Sequence, residues 1–265
     1  MDDLFCRGTV WLVGAGPGDP ELLTRKAERL LGQADIVFYD ALVGSEILAL
    51  AVQAELVSVG KRAGRHSKDQ ASIDELIVRA AQEGRRVVRL KGGDPSIFGR
   101  STEEIEACAA HGVPVRICPG ITAASAAAAS GIASLTLRGL ARKLTFLTAH
   151  ARAGEKLEHD WAALATGDAT LAVYMGRVAA PEIARALIAA GRAPETPVMI
   201  AVDVSLPSER LIHGTLAALP FLVRTIADND PTLLLIGEAV QPSSAALSGP
   251  DHFKETAAAY RYARE

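Results

Sequence analysis

Two stretches of this chain share a grammar suited to holding a small ligand by the main chain. Gly14-Ala15-Gly16-Pro17-Gly18-Asp19-Pro20 follows an apolar run at 9–14, and Leu90-Lys91-Gly92-Gly93-Asp94-Pro95 follows another at 86–91. Glycine lets a ligand approach the backbone closely and accepts positive φ. Asp19 suits a helix N-cap and Pro20 the first helical position. A dinucleotide fingerprint is the nearest pattern, with Asp40 ending the second strand as the ribose acid. It fails on spacing. G-x-G-x-x-G needs glycine at position 19, where aspartate stands, and Pro17 and Pro20 remove amides a pyrophosphate would use. Bare backbone with few fixed cations suits a ligand that is not phosphate-rich. A third loop, Pro119-Gly120-Ile121-Thr122-Ala123-Ala124, opens a run of small residues whose first amides offer hydrogen bonds.

The cations gather elsewhere. Lys61, Arg62, Arg65, His66 and Lys68 make one basic loop, and Arg100 and Arg138 are further candidates. Arginine can hold a carboxylate through two parallel hydrogen bonds, and the cluster at 61–68 reads equally as a solvated surface loop. Ser101-Thr102-Glu103-Glu104 reads as a capping box at a helix start. The six histidines (66, 111, 150, 159, 213 and 252) lack metal-ligand spacing, and no metal is expected. Cys6, Cys108 and Cys118 are odd in number and have no C-x-x-C spacing. They predict neither a disulfide framework nor a cysteine zinc site, and fit a reducing, cytoplasmic setting.

The elements that must position these groups alternate. Strands are predicted at 9–14, 35–39, 55–60, 86–91 and 113–118, with helices near 20–32, 45–53, 71–84 and 102–111. Ile73, Leu76, Ile77, Ala80 and Ala81 form one stripe with the 3.6 period of a helix covering a sheet. Strand, helix, strand in this order predicts βαβ units and a largely parallel sheet, with the first two glycine loops at neighbouring strand ends facing one crevice. After residue 138 the alternation restarts, with strands at 143–148, 169–174, 197–202 and 232–237 and helices near 156–165, 179–190 and 214–227. So many strands exceed one compact sheet. The expected architecture is therefore α/β in two domains, 1–138 and 139–242, with a tail at 243–265 that includes an Ala-rich helix candidate at 253–263.

Composition bounds the rest. The 265 residues are 49% hydrophobic and 22% charged, enough for a real core, with 28 basic against 31 acidic side chains and a formal charge of −3. Bulk attraction to nucleic acid is not the organising principle. Met1-Asp2-Asp3 is acidic where a signal peptide would be basic. Residues 117–137 carry no charge, yet they are mostly small residues and too weakly apolar for a bilayer. A buried loop and helix is expected there, in a soluble protein with no membrane partner.

Taken together, GAGPGDPELLT at 14–24, VGKRAG at 59–64, VVRLKGGDP at 87–95, FGR at 98–100, PGIT at 119–122 and YMG at 174–176 resemble the tetrapyrrole methylases. The closest likeness is to the S-adenosylmethionine-dependent uroporphyrinogen-III C-methyltransferases, from about residue 8 to 240 with the motifs in family order. The resemblance implies a two-domain fold with the cofactor between the domains, and a homodimer. It implies two methyl transfers to ring carbons of uroporphyrinogen III, giving precorrin-2, a precursor of siroheme and corrins, with S-adenosylhomocysteine as by-product. For the cofactor it implies contacts from Pro17, Gly92, Gly93, Asp94, Ile97, Thr122, Ala123, Met175, Val204 and Thr232, with Asp94 accepting from the ribose or amino-acid end. For the substrate it implies Arg100, Glu103, Arg138 and Met175. Asp40 and Lys61 match positions assigned proton acceptor and donor, and Arg100 joins them as an anchor and electrostatic stabiliser, its pKa being too high for a base.

This chain departs from the family where Ser130 and Leu137 replace a tyrosine and a histidine, and where Ser96 and Ser101-Thr102 replace an aromatic residue and a glycine pair. The extra N-terminal module of some siroheme synthases is not seen, which predicts a monofunctional enzyme. The rival readings are a methyltransferase of a later corrin precursor, an NAD(P)-dependent oxidoreductase and a non-catalytic tetrapyrrole carrier.

Overall fold

A computed structural model describes residues 5–60, 70–149 and 159–242. The chain divides into two compact units, Met1–Ala123 and Ala124–Glu265. The division falls ahead of the small-residue helix, which the sequence reading assigned to the first domain.

In the first unit β1 (Val10–Gly14), β2 (Ile36–Tyr39), β3 (Glu55–Ser58), β4 (Val87–Lys91) and β5 (Val115–Cys118) form one sheet, ordered β3-β2-β4-β1-β5. Every pairing is parallel, as the alternation of strands and helices predicts. Successive side chains on a strand point to opposite faces. Trp11, Val13, Val88 and Leu90 therefore pack on one side with Ala27, Leu30 and Leu31 of α1 (Arg25–Gln33) and Ile47 of α2 (Ser45–Leu48). Val10, Leu12, Ile36, Phe38 and Val87 pack on the other with Ile73 and Ile77 of α3 (Gln70–Gln82) and Cys108 of α4 (Ser101–Ala110). Strands covered on both faces read as continuous apolar runs, which is why β1 and β2 were legible.

The helix expected at 20–32 is split. Asp19 caps a 3₁₀ turn, Pro20–Leu22, by accepting from the Glu21 N–H at 2.8 Å. Leu23 is extended, and α1 starts afresh with the Thr24 hydroxyl accepting from the Ala27 N–H.

The second unit holds α5 (Ala123–Ser130), β6 (Lys143–Thr148), α6 (Trp161–Leu164), β7 (Ala169–Tyr174), α7 (Ala180–Ala189), β8 (Pro197–Val202), β9 (Arg210–Thr215), α8 (Leu219–Leu222) and β10 (Thr232–Ile236). Its sheet runs β6-β7-β10-β8-β9. Here the expected parallel sheet is corrected: β6 and β7 are parallel, whereas β10 lies antiparallel between β7 and β8, and β8 pairs antiparallel with β9. β9 was not anticipated, and its end occupies part of the helix expected at 214–227, which contracts to α8 and a 3₁₀ turn, Val223–Thr225. An edge strand whose residues are all half-buried lacks the alternation that would reveal it. Small residues in α5 serve close packing, with Ala124, Ala126, Ala127 and Ala128 buried. At Gly131, just beyond, a Cβ would stand 2.6 Å from the Met199 sulfur. No helix among the described residues is long and apolar enough to cross a membrane. The tail helix candidate at 253–263 lies outside the described residues.

Candidate active site

Because β4, β1 and β5 are parallel neighbours, their carboxyl ends bring three glycine loops together. Gly93 N–H donates to the Gly16 carbonyl at 2.7 Å, and Gly16 N–H donates back to Gly93 at 3.2 Å. Gly14 and Gly120 complete the cluster. A Cβ on Gly14 would stand 2.6 Å from Gly120 Cα and from the Gly93 oxygen, and one on Gly120 would stand 2.2 Å from that same oxygen. Those two glycines are required for loop against loop. Gly93 differs: its φ is +68°, and nothing lies within 4 Å of where a Cβ would point. Gly92 is exposed and Pro17 half-buried, each next along the chain to one member of the Gly16–Gly93 pairing. Bare backbone facing open space is the cradle that a nucleoside-bearing cofactor needs, so the residues present fit S-adenosylmethionine.

Asp94 is engaged with two of the loops. Its Oδ1 accepts from Ser96 N–H at 2.8 Å and its Oδ2 from Gly120 N–H at 3.0 Å. The carboxylate thus turns its own loop and ties the third loop to it, leaving only second lone pairs for a ligand. Ile97 is anchored by its N–H to the Asp94 carbonyl. Thr122 and Ala123, half-buried, follow Gly120 into α5.

Asp40 follows β2 directly, next to β4. Period-two alternation puts Phe38 and Val87 toward α3 and α4, and so directs Asp40, Arg89 and Lys91 the same way. There α4 supplies Glu104. Arg89 donates from Nη2 to Asp40 Oδ1 at 2.5 Å and from Nε to Glu104 Oε1 at 2.8 Å, and Lys91 Nζ reaches both Glu104 oxygens at 2.8 and 2.9 Å. Glu104 is fully buried and Arg89 and Lys91 nearly so, whereas the Asp40 side chain is 32% exposed. Burial works against the Arg89 charge, but Asp40 and Glu104 beside it leave its pKa above the ordinary arginine value. Burial, aided by the Arg89 charge, pulls Lys91 below the ordinary lysine value despite Glu104.

The same contacts overturn the capping box expected at 101–104. Glu104 faces the ion cluster, the Ser101 hydroxyl donates to the Pro95 carbonyl at 2.5 Å, and the residue at the N-cap is Arg100, in the left-handed region with no side-chain cap. Phe98 and Arg100 both have positive φ, flanking Gly99, where a Cβ would meet the Pro95 oxygen at 2.5 Å. Non-glycine residues so held cost about 1–3 kcal/mol each and gather at functional sites. The exposed Arg100 guanidinium grips Glu103 at both oxygens, 2.8 and 2.6 Å away, and that bonding raises its pKa.

In the second unit, antiparallel insertion of β10 sets its first residue at the edge where β7 and β8 end. Thr232 pairs with Val202, and Leu233 with Tyr174. Met175, Val204 and Thr232 are therefore brought to one edge of that sheet. Met175 is half exposed with φ +55°, and buried Val204 lies between Asp203 and Ser205, both also at positive φ. Tyr174 turns its hydroxyl toward the start of α5, accepting from Ala124 N–H at 3.3 Å. Arg138 is exposed in the segment closed by the Leu137–Ala141 bridge. Lys61, with Arg62, Arg65, His66 and Lys68, lies outside the described residues, as do His150 and His252.

Arg89, Lys91 and Glu104 were not singled out from sequence. The available signal was a pair of cations inside an otherwise apolar buried strand, which demands buried counter-charge.

Residues 9–220 match the model of the Tetrapyrrole (Corrin/Porphyrin) Methylases. The siroheme synthase of Azotobacter vinelandii is 50% identical over 235 residues, covering 88% of this chain and 50% of that protein. Siroheme synthase 1 of Yersinia enterocolitica is 50% identical over 236 residues, 88% of this chain and 49% of its own. The chain spans about half the length of the curated relatives it matches. Among solved structures, the uroporphyrin-III C-methyltransferase of Thermus thermophilus complexed with S-adenosylhomocysteine aligns with a TM-score of 0.74 and 41% identity, over 88% of this chain and 98% of that one. A cobalt precorrin-4 methyltransferase aligns with a TM-score of 0.79 and 30% identity, over 90% and 100%. With the expected motifs gathered at strand ends and the model matched over most of its length, the chain belongs to the tetrapyrrole methylase family.

Proposed function

We propose that the chain is an S-adenosylmethionine-dependent C-methyltransferase that converts uroporphyrinogen III to precorrin-2 by two methyl transfers to ring carbons. The observation that carries this reading is the likeness to the Thermus enzyme bound to S-adenosylhomocysteine, 41% identical over 98% of that chain. The open space beyond Gly93 supports it. The TM-score of 0.79 to a precorrin-4 methyltransferase favours a second reading, a later corrin precursor as substrate. Higher sequence identity to the uroporphyrin-III enzyme places the first ahead.

When bound, S-adenosylmethionine supplies an electrophilic methyl group. For that cofactor we assign Pro17, Gly92, Gly93, Asp94, Ile97, Thr122, Ala123, Met175, Val204 and Thr232, with methionine an adaptable partner for an adenine face. Arg100, Glu103, Arg138 and Met175 are assigned to the substrate. Arg100 must leave Glu103 to grip a propionate or acetate side chain, one ion pair exchanged for another. Alignment of the two reactants and exclusion of water are the main contributions of the fold. Carbon–carbon bond formation leaves positive charge on the pyrrole system, and a proton must then leave a bridging carbon. Asp40 accepts it, and Lys61 acts as the proton donor. A homodimer in a reducing cytoplasm completes the proposal, on the family resemblance and the odd cysteine count.

Calorimetry with S-adenosylhomocysteine and with NAD(P)H tests the cofactor, and turnover of uroporphyrinogen III tests the substrate. Binding of the first nucleoside alone, with a dimethylated product visible after oxidation, is expected. Binding of the nicotinamide alone refutes the reading, and turnover of a later corrin precursor alone selects the rival.

A further inference from the structure

The Asp40–Arg89–Glu104–Lys91 cluster contains more charge than a structural ion pair requires. Its three buried members, Arg89, Lys91 and Glu104, carry two cations and one anion. The surplus positive charge is met by Asp40, the member whose side chain is 32% exposed. For stability alone, one buried pair would suffice, and well-packed apolar residues commonly serve as well or better. A buried cation left over and aimed at a rim carboxylate is an arrangement that serves the carboxylate.

We propose that Arg89 is a positioning residue for the methylation, holding Asp40 in one orientation by its Oδ1 so that Oδ2 meets the departing proton. The geometry carries this. The planar guanidinium is fixed at three points: Nε on Glu104, Nη2 on Asp40 and Nη1 on the Leu90 carbonyl at 3.1 Å. Glu104 is itself held by Lys91 through both oxygens, so Arg89 has no freedom to swing away. Among the described residues Oδ1 is the oxygen of Asp40 that is engaged. In the step, the C–H bond breaks, its electron pair returns to the cationic pyrrole system, and an O–H bond forms at Oδ2. The proton then leaves to solvent from the exposed carboxyl, since arginine cannot release one and the cluster is no relay.

This rests on the proposed role of Asp40 as proton acceptor, and a double-mutant cycle separates the two claims. The proteins are wild type, Asp40→Asn, Arg89→Met, Arg89→Lys and the combination of Asp40→Asn with Arg89→Met. Each is assayed for kcat and KM with uroporphyrinogen III and for S-adenosylhomocysteine affinity. Asp40→Asn lowers kcat by about 100-fold or more, the scale of general-base removal. Arg89→Met should lower kcat about as much, with KM and nucleoside affinity held within about twofold, the pattern of an interaction made only in the transition state. Arg89→Lys, which keeps the charge but loses the fork, recovers part of the loss. The combined variant is no slower than Asp40→Asn.

Additive losses, or a loss confined to KM, overturn the positioning role while leaving Asp40 in place. An Asp40→Asn enzyme with full turnover overturns both claims. Should Arg89→Met fail to fold, Glu104→Gln loosens Arg89 without touching Asp40. It is expected to lower kcat in the wild-type background and not in the Asp40→Asn background, and equal losses in both overturn the proposal.

Discussion

Replacing Gly93 by alanine separates the two tasks of the glycine cluster, because the structure assigns crowding and strain to different positions. At Gly93 an added Cβ meets nothing within 4 Å, so the fold bears only the cost of a left-handed φ of +68°. That cost is about 1–2 kcal/mol, partly offset by the lower entropy of the unfolded alanine chain, about 0.4–1 kcal/mol. A net loss near 1 kcal/mol lowers Tm by about 2–4 °C in a chain this size. The methyl group nevertheless stands in the space assigned to the cofactor. Affinity for S-adenosylhomocysteine is expected to fall at least tenfold, about 1.4 kcal/mol. Gly120→Ala is the control: its Cβ would lie 2.2 Å from the Gly93 oxygen, so backbone must retreat by on the order of 1 Å. Overpacking of this kind costs about 1–3 kcal/mol, and stability and affinity fall together. Calorimetry and thermal melts on both variants decide the matter. A Gly93→Ala protein that binds S-adenosylhomocysteine normally after a small drop in Tm would refute the reasoning.

Three further perturbations follow from named contacts. Arg100→Ala should lower kcat/KM for uroporphyrinogen III by about 100-fold or more and leave S-adenosylhomocysteine affinity intact, whereas Glu103→Gln, which removes one substrate-side group but also frees Arg100 from an exposed ion pair, should change KM by no more than about fivefold in either direction. Parallel loss of both ligands in Arg100→Ala would remove it from the substrate side. Asp35 is held to a pKa of about 2, below the ordinary 3.8, chiefly by its hydrogen bond from Arg86. Its folded pKa lies below the unfolded one, so its contribution is complete above about pH 4 and is lost as pH falls toward 2. Asp35→Asn should accordingly melt lower than wild type at neutral pH, with the gap closing across that window, and a gap independent of pH would refute the assignment.

The loops at 14–20, 92–95 and 119–122 were legible because each is local: an apolar run, glycine, then a residue suited to start a helix. Asp19 and Pro20 do cap and open a turn as their types dictate, although extended Leu23 ends it early. Much of the first sheet was legible for the same reason, since β1 and β2 are unbroken apolar runs and the helices between strands show by their period. Pairing across long stretches of chain was not legible. That β10 slips antiparallel between β7 and β8, and that half-buried β9 forms the edge, depend on partners the local pattern does not specify.

The site divides in the same way. Residue type and order alone determined that glycine-bounded loops would present bare backbone, that Asp40 would end a strand and that a helix would begin just after Arg100. Tertiary structure decided which charges meet. Only the adjacency of β2 and β4, beneath the face that α4 covers, brings Asp40, Arg89, Lys91 and Glu104 together and turns a helix-capping motif into buried counter-charge. Likewise Asp94 became a tie between loops because β1 sits between β4 and β5. Hydrogen bonds and ion pairs act over a few ångströms, and sequence separation carries no record of that distance until strands choose their neighbours.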